Sequence, residues 1–134
     1  MYSTKYAVSI HILCLISMKR EVCVTSDYIA RSVNTNPALV RRLMSHLKKA
    51  GLIHTQTKLG VMGLSRAPEE ITLLEVFKAV EERQDLFAIH SHTNAACPVG
   101  ANIGRVLEQI NGTIQSSFET ELSNLYLSNI LNGF

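Results

Sequence analysis

Six residues in one short stretch could do chemistry on a polyanion. Between Pro37 and Ala50 the chain carries Ala38, Arg41, Arg42, Ser45, Lys48 and Lys49 at spacings that repeat with the period of an α-helix. On a wheel of about 100° per residue they share one side. Leu39, Leu43, Leu47 and Ala50 fall on the other, flanked by Val40 and Met44. An arginine fork can pair bidentately with guanine O6 and N7 in the DNA major groove, and a small apolar side chain can meet a thymine methyl. Hydroxyl and ammonium groups further along suit phosphates, which position a protein without reading sequence. An amphipathic helix whose cations are merely solvated would show the same wheel, so the neighbouring elements decide.

Those elements are legible on both sides. Thr25 or Ser26 suits a helix N-cap, with Asp27 in the first turn where a negative charge complements the dipole. Tyr28, Ile29 and Val33 give that helix an apolar side, and Asn34-Thr35-Asn36 reads as a tight turn. Asn36 is a second N-cap and Pro37 occupies a first helical position, where its missing N–H costs nothing. Gly51 is a helix stop. Leu52 to Thr57 alternates like a strand, Gly60 and Gly63 mark a turn, and Leu64-Ser65-Arg66 is the returning strand. Two helices joined by a three-residue turn and followed by a hairpin describe a winged helix-turn-helix. Thr35, Asn36, Ala38, Arg41 and Arg42, nearest the start of the second helix, are the base-reading candidates. Ser45, Lys48 and Lys49 are phosphate candidates. Lys58 on the hairpin turn and Arg66 at its end are candidates for phosphate or the minor groove. Thr25 and Ser26, opening the first helix of the motif, complete the DNA-binding set.

Outside the motif, Thr4 to Met18 is a helix apolar on most sides, and Val22-Cys23-Val24 a minor strand. Thr72-x-x-Glu75 is a capping box opening a helix through about Glu82. Asp85 to Ala96 is an irregular connector. Cys97-Pro98 is an N-cap and first helical residue, opening a helix to about Leu127. Its stripe of Ile103, Leu107, Ile110, Ile114, Phe118, Leu122 and Leu125 keeps phase across Asn111-Gly112, which favours one helix over two.

Charge divides the chain. Met1 to Arg66 holds ten Lys/Arg against Glu21 and Asp27, a net +8, whereas Ala67 to Phe134 holds three against nine acids, a net −6. A basic first half joined to an acidic second half fits a polyanion-binding module attached to something that binds no polyanion. The apolar run Ala7 to Met18 is shorter than the roughly 20 residues a membrane helix needs, and no small-residue cleavage site follows it. A cytoplasmic chain is expected. Cys14, Cys23 and Cys97 form no C-x-x-C pair and read as free thiols. Cys97, at a helix N-terminus, is a redox-sensing candidate, because the dipole favours thiolate there. His90, His92 and Cys97 are weak metal candidates at a spacing that matches no defined site. No phosphate loop, nucleophile elbow or metalloprotease helix appears, so no enzyme is expected.

Ser26-Asp27-Tyr28-Ile29-Ala30, Asn36-Pro37, Val40-Arg41-Arg42-Leu43, Leu47-Lys48-Lys49-Ala50-Gly51-Leu52-Ile53 and Pro68-Glu69-Glu70-Ile71-Thr72-Leu73 together resemble the bacterial Rrf-type regulators (IscR/CymR-like) across nearly the whole chain. The resemblance implies a homodimer on a near-palindromic operator, usually a repressor, with the last helix crossing to its partner. Gly100, Ala101, Gly104 and Gly112 would let helices approach closely there. Cluster-binding members carry three cysteines between the helix after the wing and the last helix. Only Cys97 lies in that region, so this is a branch without the iron–sulfur motif, and no cofactor is expected. The stretch Gly60 to Arg66 is shorter than the family wing and lacks its aromatic residue.

The expected protein is mainly α with a small β-hairpin wing, a winged helix-turn-helix plus a long C-terminal dimerisation helix. Residues 1–83 would form the DNA-binding domain and 84–134 the connector and dimerisation helix, in one compact unit. Double-stranded DNA and a second copy are the expected partners, a small-molecule effector is left open, and no membrane is expected. The alternative is a winged-helix protein-interaction module, which would not need four cations outward on one helix.

Overall fold

A helix apolar on most sides must be wrapped by its neighbours, and the fold puts the first one in the middle. In the computed structural model, which describes residues 3–18, 25–56 and 61–134, α1 (Lys5–Met18) buries Ser9, Ile10, Ile12, Leu13, Cys14 and Ile16. The next two helices, α2 (Ser26–Val33) and α3 (Pro37–Lys49), pack on α1 and on each other. An antiparallel pair follows, β1 (Ile53–Gln56) and β2 (Val61–Leu64), then a 3-10 turn at Pro68–Glu70 and α4 (Leu73–Val80). The long α5 (Pro98–Ser123) and the short α6 (Leu127–Leu131) complete a mainly helical winged fold with a long C-terminal helix. The minor strand expected at Val22 to Val24 and the hairpin turn carrying Lys58 lie outside the described residues.

Local chemistry sets the helix ends. The Thr25 hydroxyl accepts the Tyr28 N–H at 3.2 Å, and the Asn36 side chain accepts that of Ala38 at 2.8 Å. Between the two helices Asn34 adopts the left-handed conformation at φ 59° and ψ 51°, which turns the chain sharply and which asparagine tolerates better than most residues. Gly51 ends the next helix at φ +77°, where any Cβ would be strained. The capping box at α4 forms as expected, with Thr72 and Glu75 bonding each other reciprocally.

The core joins both ends of the chain. Ile12, Leu13, Ile29, Leu43, Leu47, Leu52, Ile71 and Leu127 are fully buried in one cluster, each contributing about 1.5–3 kcal/mol of apolar burial. On α3 the buried arc is Val40, Leu43, Met44 and Leu47; Ala50, expected in that arc, is exposed, because it lies past the last helical turn.

Three expected boundaries move. The returning strand is Val61–Leu64, not Leu64 to Arg66, because the register that sets Leu64 opposite Ile53 ends the ladder there. Helix α4 stops at Val80, as Glu81 turns extended. Helix α5 runs unbroken through Asn111-Gly112 but ends at Ser123, not Leu127. Its chain leaves the helix axis so that Leu127 can enter the core: Leu73 N–H donates to Leu125 O and Leu127 N–H to Ile71 O, each at 2.9 Å.

Candidate nucleic-acid interface

The turn at Asn34 sets α3 so that its apolar side faces α1 and α4. Its other side is then committed to solvent. Ala38, Arg41, Arg42, Ser45, Lys48 and Lys49 are all exposed there, together with Asn36 just before the helix. Neither Arg41, Arg42 nor Lys49 has an ion-pair partner among the described residues. Lys48 reaches the wing instead: its ammonium donates to the Thr55 hydroxyl at 2.8 Å and ties α3 to β1. His54 on β1 lies over Gly63 on the opposite strand, where a Cβ would meet the imidazole at 3.0 Å.

The remaining expected site residues divide by what already holds them. Thr25 is half-buried with its hydroxyl used as the α2 cap, and Ser26 is half-buried beside it. Thr35 is half-buried in the turn. Arg66, past the end of β2, donates to the Glu75 carboxylate and is about one-third exposed, so the α4 capping box holds it away from free solvent. Burial works against ionisation of Glu75, but hydrogen bonds from Arg66 and from both donors of Thr72 outweigh it and hold the carboxyl below its usual range. Lys58 lies outside the described residues.

One cation escaped the sequence reading. Arg31, exposed in the last turn of α2, lines a shallow hollow with Asn34, Thr35 and Pro37 at the mouth of the turn. It has no ion-pair partner among the described residues. Its signal was available, since it is a lone cation four residues after Asp27 on the polar side of α2, but charge counting treated it as background.

On the other half of the molecule α5 buries no residue. Phe118 packs edge-on against Phe77 of α4 at a centroid distance of 5.4 Å. Further toward its start, Val99, Ile110 and Ile114 are 68%, 52% and 41% exposed. Gly104 and Gly112 face open space, whereas a Cβ on Gly100 would lie 2.2 Å from the Asn94 carbonyl oxygen, so the connector itself requires that glycine.

Cys97 caps α5 by position, without a formed side-chain hydrogen bond. It is exposed, and the backbone N–H groups of Gly100 and then Val99 hold its thiol below the ordinary range. Cys14 is the opposite case, buried in α1 with its thiol pushed up by desolvation. Iodoacetamide at neutral pH is therefore expected to label Cys97 well ahead of Cys14, by peptide mass spectrometry of the folded chain. Labelling of Cys97 should persist at pH values below those an ordinary thiol tolerates, because only the thiolate attacks. Equal labelling of the two would contradict the environment described for Cys97.

Residues 2–133 match the family described as Rrf2, iron-dependent transcriptional regulator. The chain is 41% identical over 132 residues to YwnA of Bacillus subtilis (strain 168), which bears the name of an HTH-type transcriptional regulator, and the match covers 98% of each chain. A solved structure described as a DNA-binding protein is 36% identical and superposes with a TM-score of 0.77 over 95% of this chain and 98% of that one. CymR of B. subtilis, described as the global cysteine regulator, superposes with a TM-score of 0.72 at 19% identity, over 98% of this chain and 96% of the other. That last likeness is one of fold. Among the described residues the donor set does not fit iron. Among the described residues no three His, Cys, Asp or Glu side chains converge, and His90, His92 and Cys97 form no cluster. Cys97, the one exposed cysteine among the described residues, gives too few ligands for an iron–sulfur cluster.

Proposed function

We propose, since this chain belongs to the Rrf2 family of transcriptional regulators and is a DNA-binding regulator by that kinship, that it represses its targets by binding a near-palindromic operator as a homodimer. The observation that carries the reading is the exposed cationic face of α3, without an ion pair among the described residues, beside a wing tied to it by Lys48. In this reading Asn36, Ala38, Arg41 and Arg42 meet base edges, with Thr35 in the turn at their margin. Ser45, Lys48, Lys49 and Arg31 meet phosphate, Thr25 and Ser26 contact the backbone near the start of α2, and Lys58 extends the wing's contact. Arg66, held by Glu75, would shape the wing's base more than touch DNA.

The uncovered stripe on α5 supports the dimer. Large apolar side chains exposed in a row favour association over solvation, and a two-fold axis through such a stripe makes a self-complementary interface. Two recognition helices so related would enter successive major grooves about 34 Å apart. Residues 1–83 would then carry the DNA contacts and 84–134 the association, acting by binding and not by catalysis, in the cytoplasm where the DNA is. Among the described residues no helix is long and apolar enough to cross a membrane. The accessible, acidified thiol of Cys97 at the start of α5 supports redox control of the same dimer.

Selection of random duplex DNA on the purified chain at near-physiological salt tests the reading. An enriched inverted repeat with half-sites one helical turn apart is expected. Retention without any enriched sequence would overturn sequence-specific recognition.

A further inference from the structure

A hollow of about 590 Å³ opens between the start of α1, the end of α4 with the segment after it, and the last turns of α5. Small-molecule sites span roughly 300–1,000 Å³. Three rings line this one, Tyr6, Phe77 and Phe118, set edge to face at 6.3 and 5.4 Å. The charges around it do not cancel. Lys5 and Glu82 pair with each other at 3.6 Å. Arg83 and Asp85 add one charge of each sign. Glu81 is left over: this half-buried residue accepts the backbone N–H of Tyr6 on its carboxylate at 3.2 Å, a neutral donor, and no cation pairs with it among the described residues.

A carboxylate without a counter-ion attracts a cation that comes within a few ångströms of it, and aromatic faces attract a desolvated cation. We propose that this hollow binds a small lipophilic cation, a positive centre surrounded by bulky apolar or aromatic groups, with Glu81 as its counter-charge and Tyr6, Phe77 and Phe118 as its wall.

The site is placed to act on the rest of the molecule. Gln115 of α5 grips the segment after α4 with both ends of its amide, accepting the Leu86 N–H at 2.9 Å and donating to Gln84 O at 2.7 Å. Lys78 of α4 pairs with Glu119 of α5 at 3.5 Å. A guest wedged among these three helices bears on the joint between the DNA-facing half and the association helix. The exposed stripe on α5 is centred about a quarter-turn away from Phe118 and Leu122. The regulatory consequence, that the guest alters DNA affinity, rests on the DNA-binding reading above; the site itself does not.

Calorimetric titration of the full chain, without DNA, tests the site with tetraphenylphosphonium and tetraphenylborate, ions of one shape and opposite charge. The phosphonium is expected to bind one per chain and about tenfold or more tighter than the borate. Glu81→Gln keeps an oxygen for the Tyr6 N–H but removes the charge, and should weaken the phosphonium about tenfold while leaving the borate unchanged. Phe118→Leu, confirmed folded by circular dichroism, should weaken both ions and serves if Glu81→Gln does not fold. Failure to bind the phosphonium, or equal binding of both ions indifferent to Glu81→Gln, overturns the proposal. A second titration, of operator DNA at saturating phosphonium, should shift affinity by about fivefold or more. No shift there overturns the coupling, whereas failure to find any operator would overturn only the DNA reading.

Discussion

Replacing Arg41 and Arg42 together with alanine is expected to weaken operator binding by roughly 30-fold to 2 × 10⁴-fold, from about 1–3 kcal/mol for each base-reading arginine. Both side chains are exposed on the second turn of α3 and unpaired among the described residues, so their removal should leave the fold unchanged. Binding to unrelated duplex should fall far less, which compresses the ratio of specific to non-specific affinity. The contrast is Lys48→Ala with Lys49→Ala. If those two meet phosphate, the loss should be nearly uniform across sequences, and the salt dependence should flatten by about 0.9 per lost contact. Fluorescence anisotropy of labelled operator and scrambled duplex, over a series of salt concentrations, separates the two patterns. An arginine variant that binds operator within a few-fold of the native chain would remove α3 from the reading surface.

The second large effect concerns association. Ile110→Glu with Ile114→Glu places two charges in the centre of the uncovered stripe; if the proposed dimer uses that stripe, sedimentation velocity is expected to show a dimer for the native chain and a monomer for the variant. Neither side chain is buried within a single chain, at 52% and 41% exposure, so helical content should persist. Each half-site would then be bound separately, and loss of the linked second contact should weaken operator binding by about 10²-fold or more. A dimer that survives both charges would move the interface elsewhere.

What could be read from the sequence was whatever neighbours in the chain decide among themselves. Asn36-Pro37 starts α3 and Gly51 stops it because caps and left-handed turns are local, and the Thr72–Glu75 capping box needs only four residues. The two faces of α3 follow from one helical period. The misplacements came where a distant partner won. The strand register was set by Ile53 meeting Leu64, and the end of α5 by the core's demand for Leu127. Arg66 reads as a free cation until Glu75 is seen beside it. The hollow beside Glu81 needs Tyr6, 75 residues earlier, and no periodicity carries that information.

The docking of Leu127 against Ile71 also orders events during synthesis. Leu127 is fully buried in the cluster that holds Leu43 and Leu47 of α3. At about 5–20 residues per second, the ribosome finishes α3 on the order of several seconds before it reaches residue 127. Throughout that interval the nascent cluster lacks one of its members, and the exposed cations ride on an unfinished scaffold. The residue that closes the scaffold lies beyond the whole of α5. A chain able to complete its core has therefore already made α5, and translation never yields a finished core without that helix.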